Sequence, residues 1–204
     1  GGKADRVEAP GANVQVACPP NMRMVEGKCA AAAAAVASAA CDYGSQACVS
    51  ACVDKSDAES CLKLGVMSLQ GQGVPKSIDN AGGALIKACD RGAAKACGIL
   101  GDLIVQNKKD YALASRVWAK GCNDGDEGSC GGIGTMFLTG MGGERDVRKA
   151  VPLLTRSCDG GNHEACSNLG VLFLGGNGVN KDLQLAARLF KSACDGASGV
   201  GCSN

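Results

Sequence analysis

The 204-residue chain contains 31 glycines and 14 cysteines, whereas aromatic residues make up only 3% of it. Its formal net charge of +1 at pH 7 argues against binding nucleic acid or an anionic membrane through a basic surface. There is no C-x₂-C pair and only one histidine, so zinc and haem motifs are absent and no metal or cofactor is predicted. So many cysteines instead predict disulfides and an oxidising compartment, making the protein secreted, periplasmic or outer-membrane-anchored.

The N-terminal part of the chain divides into two predicted segments. Residues 1–29 are predicted to be an extracellular tether followed by a small loop closed by Cys18 and Cys29. We find no signal peptide or transmembrane span and expect the mature form of a secreted chain; the alternative is an outer-membrane lipoprotein without its lipidated cysteine. Residues 30–60 are predicted to be capping helices, because helix propensity favours a helix over disorder for the alanine-rich run 30–40.

From residue 61 onward a marker cysteine recurs at intervals of 36, 33, 36 and 36 residues, at Cys61, Cys97, Cys130, Cys166 and Cys202. Periods of this length are typical of solenoids. We therefore assign 61–204 to a solenoid with repeats 61–96, 97–129, 130–165 and 166–202. A glycine follows each of the first four markers by four residues, and its cost within a helix indicates close helix–helix approach.

Each repeat is predicted to contain two helices. In the last one, apolar residues recur at helical spacing from Glu164 to Leu174, and a glycine-rich stretch then breaks the helix. Asp182 is a predicted N-cap of the second helix, which should end near Gly196. No stretch alternates as a strand does, so the chain is predicted to be all-helical.

The cysteines pair locally in this scheme. In four pairs the partners are eight residues apart, and a glycine soon after the first ends its helix. The first cysteine should then face the second across a short turn and join one repeat to the next. Pairing neighbours throughout uses every cysteine: Cys18–Cys29, Cys41–Cys48, Cys52–Cys61, Cys89–Cys97, Cys122–Cys130, Cys158–Cys166 and Cys194–Cys202.

Three segments carry a family resemblance: LGVMSLQGQGVPK from Leu64, IGTMFLTGMGGER from Ile133 and LGVLFLGGNGVNK from Leu169, each continuing to the next marker cysteine. They resemble Sel-one-like repeats (SLR), relatives of tetratricopeptide repeats, and most of all their bacterial cysteine-rich branch. The resemblance implies an all-α, α/α solenoid, a right-handed superhelix of four to five helix hairpins. One unit departs from the pattern: residues 100–130 are three residues short and lack the glycine-rich loop.

The resemblance also implies that the first helix of each unit lines a concave face that binds a protein or peptide. Positions two, five and nine after each marker share one stripe of that helix. The alternative is that this stripe is only solvated. The predicted binding residues on it are Lys63, Gln70, Asp102, Gln106, Thr135, Thr139 and Asn168.

The sequence also predicts positions for four other side chains. Trp118 takes the place of the second-helix apolar residues Ile86, Leu154 and Phe190, so it should lie in the core or at the edge of a groove. His163 should begin a helix without a chemical role, and Met67 and Met136 should pack in the core.

A rival function rests on Ser60–Lys63, which matches the S-x-x-K string of penicillin-recognising enzymes. Neither S-D-N nor K-T-G accompanies it, and chance predicts about one such match from this composition. We therefore predict no catalytic residue and favour a non-catalytic binding or assembly module. The alternative is a penicillin- or muropeptide-binding protein with weak β-lactamase activity.

The last helix has no covering unit in the sequence, although solenoid ends usually carry a polar cap. Self-assembly through this open C-terminal end is therefore a second predicted kind of partnership.

Overall fold

The computed structural model describes residues 22–25, 28–31, 46–55 and 57–196. An antiparallel hairpin of β1 (Met22–Val25) and β2 (Lys28–Ala31) comes first, with Met24 opposite Cys29. Within the described ranges nine helices follow: α1 (Gln46–Val53), α2 (Ala58–Gln70), α3 (Ile78–Asp90), α4 (Ala94–Lys108), α5 (Tyr111–Asn123), α6 (Glu127–Thr139), α7 (Val147–Asp159), α8 (His163–Gly175) and α9 (Leu183–Gly196).

The predicted helical solenoid is confirmed, and the hairpin is the exception to it. Ala30 and Ala31 belong to β2 and not to the predicted capping helix, because strand pairing satisfies their backbone groups across a two-residue connection. Residues 1–21, 26 and 27 of the predicted tether and loop (1–29) lie outside the described residues, and so does Cys18 of the predicted Cys18–Cys29 pair. The rest of the alanine-rich run is also outside them.

Four helix hairpins, α2–α3, α4–α5, α6–α7 and α8–α9, follow α1. Polar N-caps begin these helices except α4, whose N-cap is Ala93. Asp126 accepts the Ser129 N–H at 2.8 Å and Asp182 accepts the Leu185 N–H at 2.9 Å. Asp182 is thus the predicted N-cap of α9, and α9 ends at Gly196 as predicted. The first helices of the three full-length units end on left-handed glycines, Gly71, Gly140 and Gly176.

The short unit has only two residues between α4 and α5. Lys109 there adopts a left-handed φ of 51°, alone among the described non-glycine residues. Elsewhere a glycine-rich loop packs on the preceding unit, as Gly178 does on Val147, which is only 9% exposed. Ile78 occupies the position of Val147 but faces the short unit, so no such loop covers it and it is 48% exposed.

Disulfides join α1 to the first hairpin and each hairpin to the next, at the predicted places. Cys52–Cys61, Cys89–Cys97, Cys122–Cys130 and Cys158–Cys166 have Cα atoms 4.6 to 4.8 Å apart. In each pair the cysteine near the end of one helix faces the cysteine in the first turn of the next. Cys48 and Cys194 are also disulfide-bonded, but their predicted partners, Cys41 and Cys202, lie outside the described residues.

The repeated glycine marks the closest helix approach within each hairpin. A Cβ added at Gly65 would lie 2.7 Å from Leu85 Cγ, and one at Gly134 would lie 2.8 Å from Leu154 Cγ. Gly170 meets Phe190 in the same way, and Gly101 meets Trp118. The equivalent residue in α3 is therefore Leu85 and not Ile86, which is 50% exposed because it lies one position away from the buried face.

The first helices of successive units form an inner layer. In the last three units α4 contacts α6 and α6 contacts α8, while the second helices lie outside them. On this inner face the Asn168 side-chain amide donates to Thr135 Oγ1 at 3.4 Å, across α8 and α6. Small residues between the helices allow the two layers to approach, and one groove opens on the inner side.

Candidate binding groove

A cavity of about 360 Å³ opens between α4 and α6, bordered by the start of α8. It lies on the inner layer, where the short unit meets its neighbour. Its larger apolar lining residues are Ile99, Val105, Tyr111, Trp118, Met136 and Met141. Its polar lining residues are Lys95, Asp102, Asp126, Thr135, Thr139, Asn162 and Glu164.

Trp118 forms the floor of this cavity. It projects from the second helix α5, is only 6% exposed, and donates its indole N–H to the Gly98 carbonyl at 3.2 Å. Its ring fits because no Cβ is present at Gly101 or Gly132; a Cβ at Gly132 would lie 2.6 Å from Trp118 Cε2. Trp118 is thus both a core residue and a groove residue, and these are the two positions that the sequence predicted for it.

Three carboxylates line the groove, each at a different first helix. Asp102 comes from α4, Asp126 is the N-cap of α6, and Glu164 lies in the first turn of α8. The repeat geometry brings these carboxylates together. Residues just before one marker cysteine face residues just after the preceding marker cysteine. The groove also contains Lys95. Because the three carboxylates outnumber this lysine, the described lining remains acidic on balance.

The pKa of Asp102 is raised from 3.8 to about 6. Asp102 is exposed to solvent by its accessible surface, yet protein atoms around the carboxylate displace part of its hydration, and this desolvation is the largest cause of the rise. The Trp118 indole N–H partly opposes the rise, and the negative charges of Asp126 and Glu164 add to it. The pKa of Asp102 therefore lies closer to neutral pH than that of an ordinary aspartate.

The structure brings some of the predicted binding residues together and separates others. Asp102, Thr135 and Thr139 line the cavity, and Asn168 adjoins it through its bond to Thr135. Asn168 itself is not a lining residue, and three other predicted residues neither line the cavity nor make a side-chain bond to a residue that does. These are Lys63, which pairs with Glu59 at 3.7 Å, together with the exposed Gln70 and Gln106.

The predicted stripe of binding residues does not include the groove residues that precede each marker cysteine. Asp126 and Asn162 lie four residues before their markers, while Lys95 and Glu164 lie two before theirs. Their polar character at a fixed register was a usable signal. They were missed because the stripe followed one helix face and ignored the contact between successive first helices.

The structure also gives the positions of the serine, the histidine and the methionines considered for other chemical roles. Ser60 is only 1% exposed in α2, so a substrate has no access to its hydroxyl. His163 is the first residue of α8 and its Nδ1 lies 3.2 Å from the Ser192 carbonyl. Met67 and Met136 are buried as predicted. In the described ranges no three His, Cys, Asp or Glu residues are grouped to hold a metal ion.

Comparison with known proteins follows the repeat pattern. The Sel1 repeat (Sel-one-like repeat) family matches residues 58–92, 129–162 and 163–198. The short unit is not matched. No curated protein matches the chain. None of the helices among the described residues is both long and apolar enough to cross a membrane.

Solved structures share the fold. A Sel1 repeat protein from Oxalobacter formigenes is 24% identical with a TM-score of 0.68, over 74% of this chain and 61% of its own. The uropathogenic Escherichia coli protective antigen c5321 is 23% identical with a TM-score of 0.64, over 70% and 31%. Helicobacter pylori cysteine rich protein B is 24% identical with a TM-score of 0.51, over 62% and 93%. The chain thus matches less than two thirds of the length of the first two proteins.

Proposed function

The chain belongs to the Sel1 repeat family, whose members generally mediate protein–protein interaction, and we propose that it is a non-catalytic, extracytoplasmic module that binds a protein or peptide. The proposed binding surface is the inner-face groove between α4, α6 and the start of α8. The lining residues named above come from α4, α5, α6 and the connections and helix start next to them.

One observation carries the proposal: a cavity of about 360 Å³ over a buried tryptophan, lined by side chains that differ from unit to unit. The repeated cysteines and glycines hold the helices together, so they account for the fold alone. Positions at the groove such as Asp102 and Thr135 instead vary from unit to unit and do not share the repeated cysteine or glycine. Cavities of this size with a few converging polar groups are typical of ligand sites.

The compartment is proposed from the disulfides. Four bridges join consecutive helices of the described solenoid, and such bridges persist in oxidising surroundings. We propose the periplasm, the outer surface or the secreted fraction, with a lipid anchor as one way to retain the protein.

Selection from a displayed random-peptide library tests the binding role, with the disulfide-intact protein as target. Trp118 is the only tryptophan in the chain, so its indole fluorescence and indole N–H resonance report directly on the groove. We expect selected peptides to shift both signals and to lose affinity in Asp102→Asn. The matched control is Asp159→Asn, because Asp159 is an exposed carboxylate at the end of outer helix α7. Binders that leave Trp118 unchanged, or no binders at all, would contradict the groove as the binding surface.

β-Lactam or muropeptide hydrolysis is the rival function, and no described feature favours it. An acylated serine must be reached by its substrate, whereas Ser60 is buried. Hydrolysis of a chromogenic cephalosporin that vanishes when the disulfides are reduced would contradict the non-catalytic proposal. Loss of that activity in Ser60→Ala would assign it to the S-x-x-K serine, and its survival would assign it elsewhere.

Self-association through the C-terminal unit remains a second proposal about partners. Leu183 begins α9 at the position that the next unit's loop covers in Val147, and it is 57% exposed. A glycine-rich loop of a second copy would bury it in the same way. Concentration-dependent sedimentation that is lost in Leu183→Ser would support this, and a monomer at all concentrations would refute it.

A further inference from the structure

The charges of the groove specify its occupant more closely than its shape does. Asp102, Asp126 and Glu164 face one opening, and Lys95 is the one cation among the described lining residues. The whole chain has a formal net charge of +1, so this local excess of negative charge does not reflect an acidic chain.

Within the described ranges, no ion pair neutralises these three carboxylates. The four described ion pairs use other acids, such as Glu127, which makes two bonds to Arg156 across α6 and α7. Asp126 accepts the Ser129 N–H and hydroxyl with Oδ2, as a helix cap. Desolvation is the main cause of the raised pKa of Asp102, and the negative charges of Asp126 and Glu164 add to it.

Apolar groups lie beside these acids. Trp118 forms the floor, and Ile99, Val105 and Met136 line the same cavity. A small inorganic cation would leave this apolar surface in water. A lysine or arginine side chain has both an aliphatic stem that packs on apolar groups and a charged head for carboxylates.

We propose that the groove anchors a lysine or arginine side chain of the bound protein or peptide, with its charged head among Asp102, Asp126 and Glu164 and its stem over Trp118. This inference rests on the proposed function, since it names the chemistry of the partner at the same groove. The partner is then a basic segment, although the net charge of the chain gives no indication of it.

Defined peptides test the anchor. The probes are Ac-AAKAA-NH₂ and Ac-AARAA-NH₂, with Ac-AAQAA-NH₂ and Ac-AAEAA-NH₂ as neutral and acidic counterparts, titrated into the ¹⁵N-labelled, disulfide-intact protein. We expect the basic peptides to shift the Trp118 indole N–H and to bind about tenfold more tightly than the glutamine peptide, as charge-assisted hydrogen bonds imply. Their affinity should fall with added salt. It should also rise between pH 5 and 7, because Asp102, facing Asp126, Glu164 and Lys95, loses its proton there.

Two variants and the selected peptides separate the possible failures. Asp102→Asn and Glu164→Gln should each weaken the basic peptides severalfold, whereas Asp159→Asn should not. Equal affinity of lysine and glutamine peptides, while library-selected peptides still shift Trp118, would overturn the anchor and leave the proposed function standing. If neither defined nor selected peptides shift Trp118, the groove is not a peptide site and both proposals fail.

Discussion

Gly134→Ala tests whether the repeated glycine holds the two helices of a hairpin together. Gly134 lies in α6, where an added Cβ would stand 2.8 Å from Leu154 Cγ and 3.2 Å from the Leu154 backbone nitrogen. Leu154 is fully buried, and a backbone atom cannot rotate out of the way. The helices would therefore have to move apart.

Two opposing effects set the size of the change. Alanine in place of glycine stabilises a helix interior by about 1 kcal/mol, while overpacking a core costs about 1 to 3 kcal/mol. Because the backbone contact blocks an easy adjustment, the cost should lie at the upper end. The free energy of unfolding of Gly134→Ala should then fall by about 1 to 2 kcal/mol.

The matched control is Gly83→Ala, since Gly83 is also within a helix but has no atom within 4 Å of an added Cβ. This variant should keep the propensity gain and be more stable than the parent by about 1 kcal/mol. Urea denaturation followed by far-ultraviolet circular dichroism measures both variants. If Gly134→Ala proves as stable as Gly83→Ala, close helix approach is not the reason for the repeated glycine.

Three further outcomes are expected from the fold. Replacing Cys122 and Cys130 together by alanine opens a nine-residue loop, which costs about 2.6 kcal/mol in the chain-entropy expression; an unchanged urea midpoint would refute this. Because the pKa of Asp102 is raised to about 6, the folded state binds its proton more tightly, and the contribution of Asp102 to stability falls as pH rises from about 4 to 6. Asp102→Asn should remove that fall and be more stable than the parent at pH 7, and denaturation at each pH checks the sign. Val147→Ala should cost about 1.6 kcal/mol for two buried carbons, whereas Ile78→Ala should cost less although it removes three, because Ile78 is 48% exposed; the reverse order in urea denaturation would contradict the loop-cover argument.

The sequence by itself determined the repeat frame. The marker cysteines fixed the length of each unit, the glycines after them fixed where each hairpin closes, and Asp182 and Gly196 bounded the last helix. These features can be predicted from the sequence because each involves residues within one helical turn or one short loop. Over such a short range, spacing along the chain sets the distance in space. The disulfide partners, eight or nine residues apart, belong to the same class.

Only the tertiary structure decided the composition of the groove. Asp102 and Glu164 are 62 positions apart in the sequence, and they meet only because successive first helices pack side by side. Trp118 reaches this surface from a second helix because Gly101 and Gly132 leave space for its ring. The exposure of Ile78 likewise follows from a loop missing in the neighbouring unit. Burial, charge convergence and the raised pKa of Asp102 depend on contacts between units, which a repeating pattern does not specify.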